Sequence, residues 1–151
     1  MSNSTLDQQL VASLVPLCLV RATLGDRVVL PAPFGTRAIL EVETMRYSGD
    51  RLNASLRGRA AADWVTVSSD GRLGAADARC TMETDDGALI FVQYNGRIQY
   101  ALDGGPHRLY VAPRFETEDV RYAWLNAVQA VGKGLFDPQS RILSYAFFQL
   151  S

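Results

Sequence analysis

Four polar side chains stand inside otherwise apolar stretches of the chain: Asp63, Arg79, Glu116 and Asn126. Asp63 directly precedes Trp64 and a run of β-forming residues. Arg79 lies within an alternating segment, Glu116 follows Phe115, and Asn126 follows Trp124 and Leu125. Buried acids are rare without a partner or a role. A carboxylate in an apolar cavity has its ionised form destabilised, which raises its pKa toward neutrality and suits it to acid or base work. An Arg nearby can polarise a carbonyl or hold a developing enolate or carboxylate. On this reading Asp63 is the main acid or base, Glu116 the second, and Arg79 orients the ligand. Trp64, Tyr94, Tyr100, Trp124 and Phe148 would wall the cavity, with Asn126 as a further polar contact. That set suits isomerisation, cyclisation, dehydration or a related lyase step on a small, largely apolar oxygenated molecule.

Other readings use the same residues. Asp63 and Arg79 could form a structural ion pair, Glu116 could cap a turn, and Asn126 could satisfy backbone groups. A carrier barrel that binds a small ligand without turnover needs only the cavity, and a structural dimer module needs neither. The facing of Asp63 depends on its neighbour, because side chains alternate along a strand. If Trp64 packs outside, Asp63 points in; if Trp64 lines the cavity, Glu116 inherits the role.

Louder chemistries are missing from the sequence. Phosphate-cradle, zinc-protease and nucleophile-elbow patterns are absent. The single His, His107, follows Gly-Gly-Pro and reads as a solvated loop residue. Gly132-Lys133-Gly134 lacks the upstream glycine of a Walker loop. One His and two Cys support neither a His-based metal site nor a disulfide framework. The expectation is therefore no metal, no nucleotide and no other cofactor. Fifteen Lys plus Arg against sixteen Asp plus Glu leave a net charge of −1, a poor match to nucleic acid. The apolar run 10–20 is broken by Ser13 and Pro16, falls short of the roughly 20 residues a membrane span needs, and follows no basic segment. The expected setting is a cytoplasmic protein with reduced thiols, Cys18 and Cys80 being buried small hydrophobes.

The elements that must position these residues read as β. At 151 residues with 48 % apolar and 21 % charged content, the chain is one globular domain, here 14–151, behind a flexible segment 1–13. Segments 37–44, 64–68, 78–84 and 88–94 carry strand signals. In 78–84, Arg79, Thr81 and Glu83 share one face, Cys80 and Met82 the other. Ser48-Gly49-Asp50, Ser69-Asp70-Gly71, Asp85-Asp86-Gly87 and Asn95-Gly96 read as turns, and the Asp86-Gly87 hairpin is the sharpest. Recurring turns imply an antiparallel meander closing into a barrel or sandwich. Thr117 reads as an N-cap, opening either a helix over 118–131 or a short helix to Leu125 followed by a strand through 127–131. The last segment, 141–150, reads as a closing strand. Apolar strand faces and edges in so small a barrel lead to the expectation of a homodimer.

The order Ala62-Asp63-Trp64, Asp70-Gly71, Asp77-Ala78-Arg79, Thr84 to Ile90, Asn95-Gly96, Pro113 to Thr117 and Tyr122 to Asn126 resembles the family known as domain of unknown function 3237. The resemblance runs from about Leu14 to Leu150. It implies an all-β fold, a single antiparallel calycin-like β-barrel with at most one or two short helices. It also implies the strand alternative after Trp124, and it assigns no activity.

Overall fold

Residues 7–151 are described by a computed structural model. Alternation of apolar and polar side chains sets the architecture, since ten strands each turn one face inward. They are β1 (Leu14–Leu30), β2 (Thr36–Ser48), β3 (Ala54–Leu56), β4 (Ala62–Val67), β5 (Leu73–Thr84), β6 (Leu89–Gln99), β7 (His107–Val111), β8 (Arg114–Glu116), β9 (Ala130–Asp137) and β10 (Ile142–Leu150). All pairings are antiparallel. The order β1-β2-β4-β5-β6-β7-β9-β10 returns to β1, so eight strands close a ring. Closure satisfies the ladder hydrogen bonds that an open sheet would leave at its edges. The short strands extend the wall: β3 sits between β2 and β5 beyond the end of β4, and β8 pairs with β6. The antiparallel barrel expected from turn spacing and resemblance is the observed fold.

The structure differs from the expected helix start at Thr117 and the expected turn at Asn95-Gly96. Of the expected N-terminal segment 1–13, residues 1–6 lie outside the described residues, while Ser13 exchanges backbone hydrogen bonds with Ser151. Thr117 starts no helix; its hydroxyl donates to the Leu89 carbonyl at 2.8 Å and accepts the Asp119 N–H. The helical structure after Thr117 is a 3-10 turn over Ala123–Ala127, and the strand resumes at Ala130. Asn95-Gly96 is no turn but lies within β6, where that strand changes partner from β8 to β7. A Cβ at Gly96 would clash with the Tyr110 carbonyl oxygen, so glycine here serves close backbone approach. Among the described residues, no helix is long and apolar enough to cross a membrane.

One end of the barrel is solid. Leu17, Tyr47, Leu52, Met82 and Ile90 fill it, and Leu125 of the 3-10 turn, fully buried, plugs it. Burying one such side chain contributes roughly 2 kcal/mol. Cys18 and Cys80 belong to this core, and burial pushes both thiols up to about 12. A layer of aromatic rings ends the solid part. Tyr145 meets Tyr94 edge-on at 6.0 Å between ring centres and Phe147 at 5.3 Å. Gly132 and Gly134 make this possible: a Cβ at either would run into the Phe147 or Tyr145 ring. The Gly-Lys-Gly motif is therefore a bed for two aromatic rings. Beyond Tyr94 the barrel is hollow.

Candidate functional site

The hollow end opens because two neighbouring strands have unequal reach. β10 begins at Ile142, opposite Thr23, whereas β1 runs on to Leu30 paired only with β2. The segment from Arg27 to Leu30 thus has no β10 neighbour, and the wall parts. The resulting cavity holds about 760 Å³, within the size range of small-molecule sites. Leu24, Ala38, Leu40, Val42, Val65, Ile98, Leu109 and Leu143 form apolar walls; Arg27, Thr36, His107, Phe136 and Arg141 contribute to the lining as well.

Asp63 is the buried acid within these walls; Asp26, the other acid of the lining, is fully exposed at the mouth. In β4, Asp63, Val65 and Val67 line the cavity, while Trp64 stays outside with the Arg79 guanidinium 5.6 Å from its ring centre. With Trp64 outside, alternation turns Asp63 inward. Its Oδ1 accepts the Asp77 N–H at 2.8 Å. That bond replaces part of the sheet ladder. Asp63 pairs with Ala78 and Thr66 with Ala75, but Trp64 and Val65 find no partner in β5. The Trp64 carbonyl instead accepts Arg37 Nη1 at 3.2 Å. One carboxyl oxygen is thereby fixed, and the other makes no hydrogen bond to the described residues. Burial pushes the Asp63 carboxyl up to about 6; the Asp77 N–H opposes this and the Asp77 carboxylate adds to it.

Two phenols and an imidazole share the cavity. Tyr94 and Tyr100 line it, as the sequence reading expected, and both phenol pKa values are raised first by burial; at Tyr100 the charge of Asp63 comes next, and at Tyr94 it follows the Tyr145 phenol. His107 is not a solvated loop residue. It opens β7, meets Tyr100 edge-on at 5.0 Å, and its Nδ1 accepts the Ala101 N–H at 3.0 Å. The ring proton of the neutral form therefore sits on Nε2, and burial lowers the His107 pKa, favouring that neutral form.

The remaining expected site residues lie elsewhere. Arg79 is on the outer face, 3.6 Å from Asp77, and makes no pair with Asp63. Glu116 is exposed in a shallow outer groove shared with Asn126. Asn126 accepts the Thr117 N–H at 2.8 Å and donates to its carbonyl at 2.9 Å, bracing that loop. Trp124 lies at the solid end with the Arg51 guanidinium 4.8 Å from its ring centre. Phe148 is partly buried on the outside, because Phe147 takes the inward position. The structure thus brings together Asp63, Tyr94 and Tyr100, and separates them from Glu116, Arg79, Trp64, Trp124, Asn126 and Phe148. Sequence reasoning passed over His107, Arg27 and Arg141. The alternation His107, Leu109, Val111 was a usable signal for the first; nothing local marked the other two. Among the described residues, no cluster of three His, Cys, Asp or Glu side chains could hold a metal.

Comparison with solved structures supports this architecture. A β-barrel-like protein from Acinetobacter baumannii AYE is 27% identical, with a TM-score of 0.83 over 93% of this chain and 97% of that one. A protein of unknown function from Rhodopseudomonas palustris shares the fold at 21% identity, with a TM-score of 0.83 over 93% and 99%. A protein from Penicillium herquei described as an enzyme is 25% identical, with a TM-score of 0.71 over 93% and 95%. No curated protein matches the chain. Residues 12–150 match the family described as Protein of unknown function (DUF3237), and the chain belongs to it.

Proposed function

We propose that this DUF3237 protein is an acid/base enzyme that moves a proton on a small, largely apolar oxygenated molecule without a cofactor, in an isomerisation, cyclisation or lyase step. The observation that carries this reading is Asp63: a carboxyl in a mostly apolar cavity, one oxygen pinned by the Asp77 N–H and the other unpartnered, with its pKa raised to about 6. Such a group is ionised enough to take a proton near neutral pH and basic enough to do so usefully. As base, Asp63 removes a proton from a carbon beside a carbonyl. The electron pair moves onto the carbonyl oxygen, and the protonated carboxyl returns the proton at the same or a conjugated carbon. Tyr100 and the Nε2–H of His107 are donors within the same cavity for the developing oxyanion. The Penicillium herquei protein, described as an enzyme on the same barrel, supports a catalytic reading.

The test uses 2-tetralone, an apolar ketone with exchangeable protons beside its carbonyl, in deuterated buffer followed by NMR. The native protein accelerates exchange, with a rate that rises through about pH 6. Asp63→Asn, nearly isosteric and still able to accept the Asp77 N–H, loses that acceleration by about 100-fold or more. Equal exchange in the two proteins would refute the assignment. A carrier barrel without turnover is the second reading, favoured by the placement of Glu116 outside the cavity, which removes the second carboxyl of the expected pair.

A further inference from the structure

We infer that the cavity takes a ligand with an apolar ring body and one anionic oxygen group, a carboxylate or phenolate, and that Arg141 and Arg27 hold this group at the mouth. The inference rests on the proposed function only in taking this cavity as the substrate site.

The first observation is backbone conformation. Arg141 has φ of 61°, and among the described residues it alone combines a side chain with a positive φ. It ends the turn from Asp137 to Ile142 that joins β9 to β10. Glycine occupies such a position without penalty, whereas a residue with a Cβ is strained there, so an arginine calls for a use of its side chain. The strained residue is also firmly held. Its N–H donates to the Asp137 carbonyl at 2.8 Å, and its own carbonyl accepts the Leu24 N–H at 3.0 Å. Leu24 is where β1 leaves β10, so Arg141 sits at the corner of the opening.

The second observation is charge. Arg141 and Arg27 both line the cavity. Arg27 makes no ion pair among the described residues. The one acidic neighbour of Arg141 is Asp26, at 4.0 Å from a fully exposed side chain, which is a loose contact. Two guanidinium groups therefore line the mouth, and the one acid lining it with them, Asp26, is fully exposed and only loosely paired. A guanidinium presents paired donors that fit a carboxylate. Asp63 lies deeper, beside Leu40 and close enough to raise the Tyr94 and Tyr145 phenols by its charge. Its own negative charge keeps an anion away from the floor. The ring body then lies against the apolar walls with the anionic group outward.

Binding of 2-naphthoate and of its neutral counterpart 2-naphthamide, each measured by calorimetry at low salt, tests this. The native protein is expected to bind 2-naphthoate at least tenfold more tightly than the amide. Arg141→Gly removes the guanidinium and relieves the strain, so the variant should melt no lower than the native protein while its preference falls to twofold or less. Arg27→Gln should weaken 2-naphthoate at least threefold and leave the amide unchanged. Equal binding of the two probes by the native protein, a preference retained in Arg141→Gly, or no binding of either at millimolar concentration would each overturn the inference. These readouts need no turnover. An anion preference alongside unaltered exchange by Asp63→Asn would leave the inference standing and the acid/base reading fallen.

Discussion

Arg79 lies one register step from Asp63 across the β4–β5 pairing, yet the two side chains occupy opposite sides of the barrel wall. Asp63 faces Ala78 and Ala62 faces Arg79, so pleating alone separates them. An arginine beside a carboxyl lowers its pKa, often by about 1–3 units at 4–6 Å. Placement of Arg79 on Trp64, outside, leaves burial to dominate at Asp63.

A raised carboxyl pKa costs stability at neutral pH. Below about pH 4 Asp63 is protonated in the folded and unfolded chains alike. Between about pH 4 and 6 the folded chain keeps a proton that the unfolded chain has released, so stability attributable to this group is lost as pH rises through that window. The shift corresponds to at most about 3 kcal/mol, and access of water through the mouth reduces this to about 1–2 kcal/mol. Asp63→Asn should therefore be more stable than the native protein by that amount at pH 7.5 and indistinguishable at pH 4. Thermal melts of both proteins at the two pH values check this; equal melting at pH 7.5 would count against a desolvated carboxyl.

Substitution outside the wall should leave the site alone. Arg79→Ala and Glu116→Gln each remove an outer charge, one of them paired at 3.6 Å and half-exposed. Exposed pairs contribute about 0–1 kcal/mol. Each variant should keep 2-tetralone exchange within twofold of native and lose less than about 1 kcal/mol. A tenfold fall in exchange with intact folding would return that residue to the chemistry.

The hydroxyl of Tyr145 is buried and has no hydrogen-bond partner among the described residues. Removing an unpartnered polar group relieves its desolvation cost. Tyr145→Phe should leave urea unfolding unchanged or shift it to higher denaturant by up to about 1 kcal/mol. A loss of stability beyond that would reveal a partner for the hydroxyl.

Gly96→Ala should be severe. The added methyl meets the Tyr110 carbonyl oxygen and the Val111 backbone, which cannot rotate away as a side chain would. A loss above about 3 kcal/mol, or failure to accumulate as folded protein, is expected. Unfolding within 1 kcal/mol of native would show that β6 and β7 can part at that point.

Much of this molecule was legible from alternation and turn chemistry. The Asp85-Asp86-Gly87 hairpin is where expected, with Glu83 opposite Leu89 and Gly87 at a φ of 93°. The alternation that put Cys80 and Met82 on one face of β5 and Arg79 on the other was correct, and it already implied that Arg79 faces away from the core. Asp63 was legible only conditionally, because period two separates faces without saying which is inner. Asn95-Gly96 misled because glycine serves backbone approach as readily as a tight turn, and the two uses look alike locally. Thr117 misled because its hydroxyl meets Leu89, a contact across 28 positions that no local pattern encodes. Arg27 and Arg141 depend on where β10 stops relative to β1, a property of three-dimensional register alone.

The aromatic layer of Tyr94, Tyr145 and Phe147 divides labour within one small barrel. Cohesion resides below it, in the packed end stoppered by Leu125. Walls such as Val65, Ile98 and Leu143 above it belong to the core and border the cavity, so changes in their size alter cavity volume together with packing. Substitution above the layer can therefore reshape the cavity while the packed end keeps its form, so the volume of the hollow is separable from the closure of the barrel.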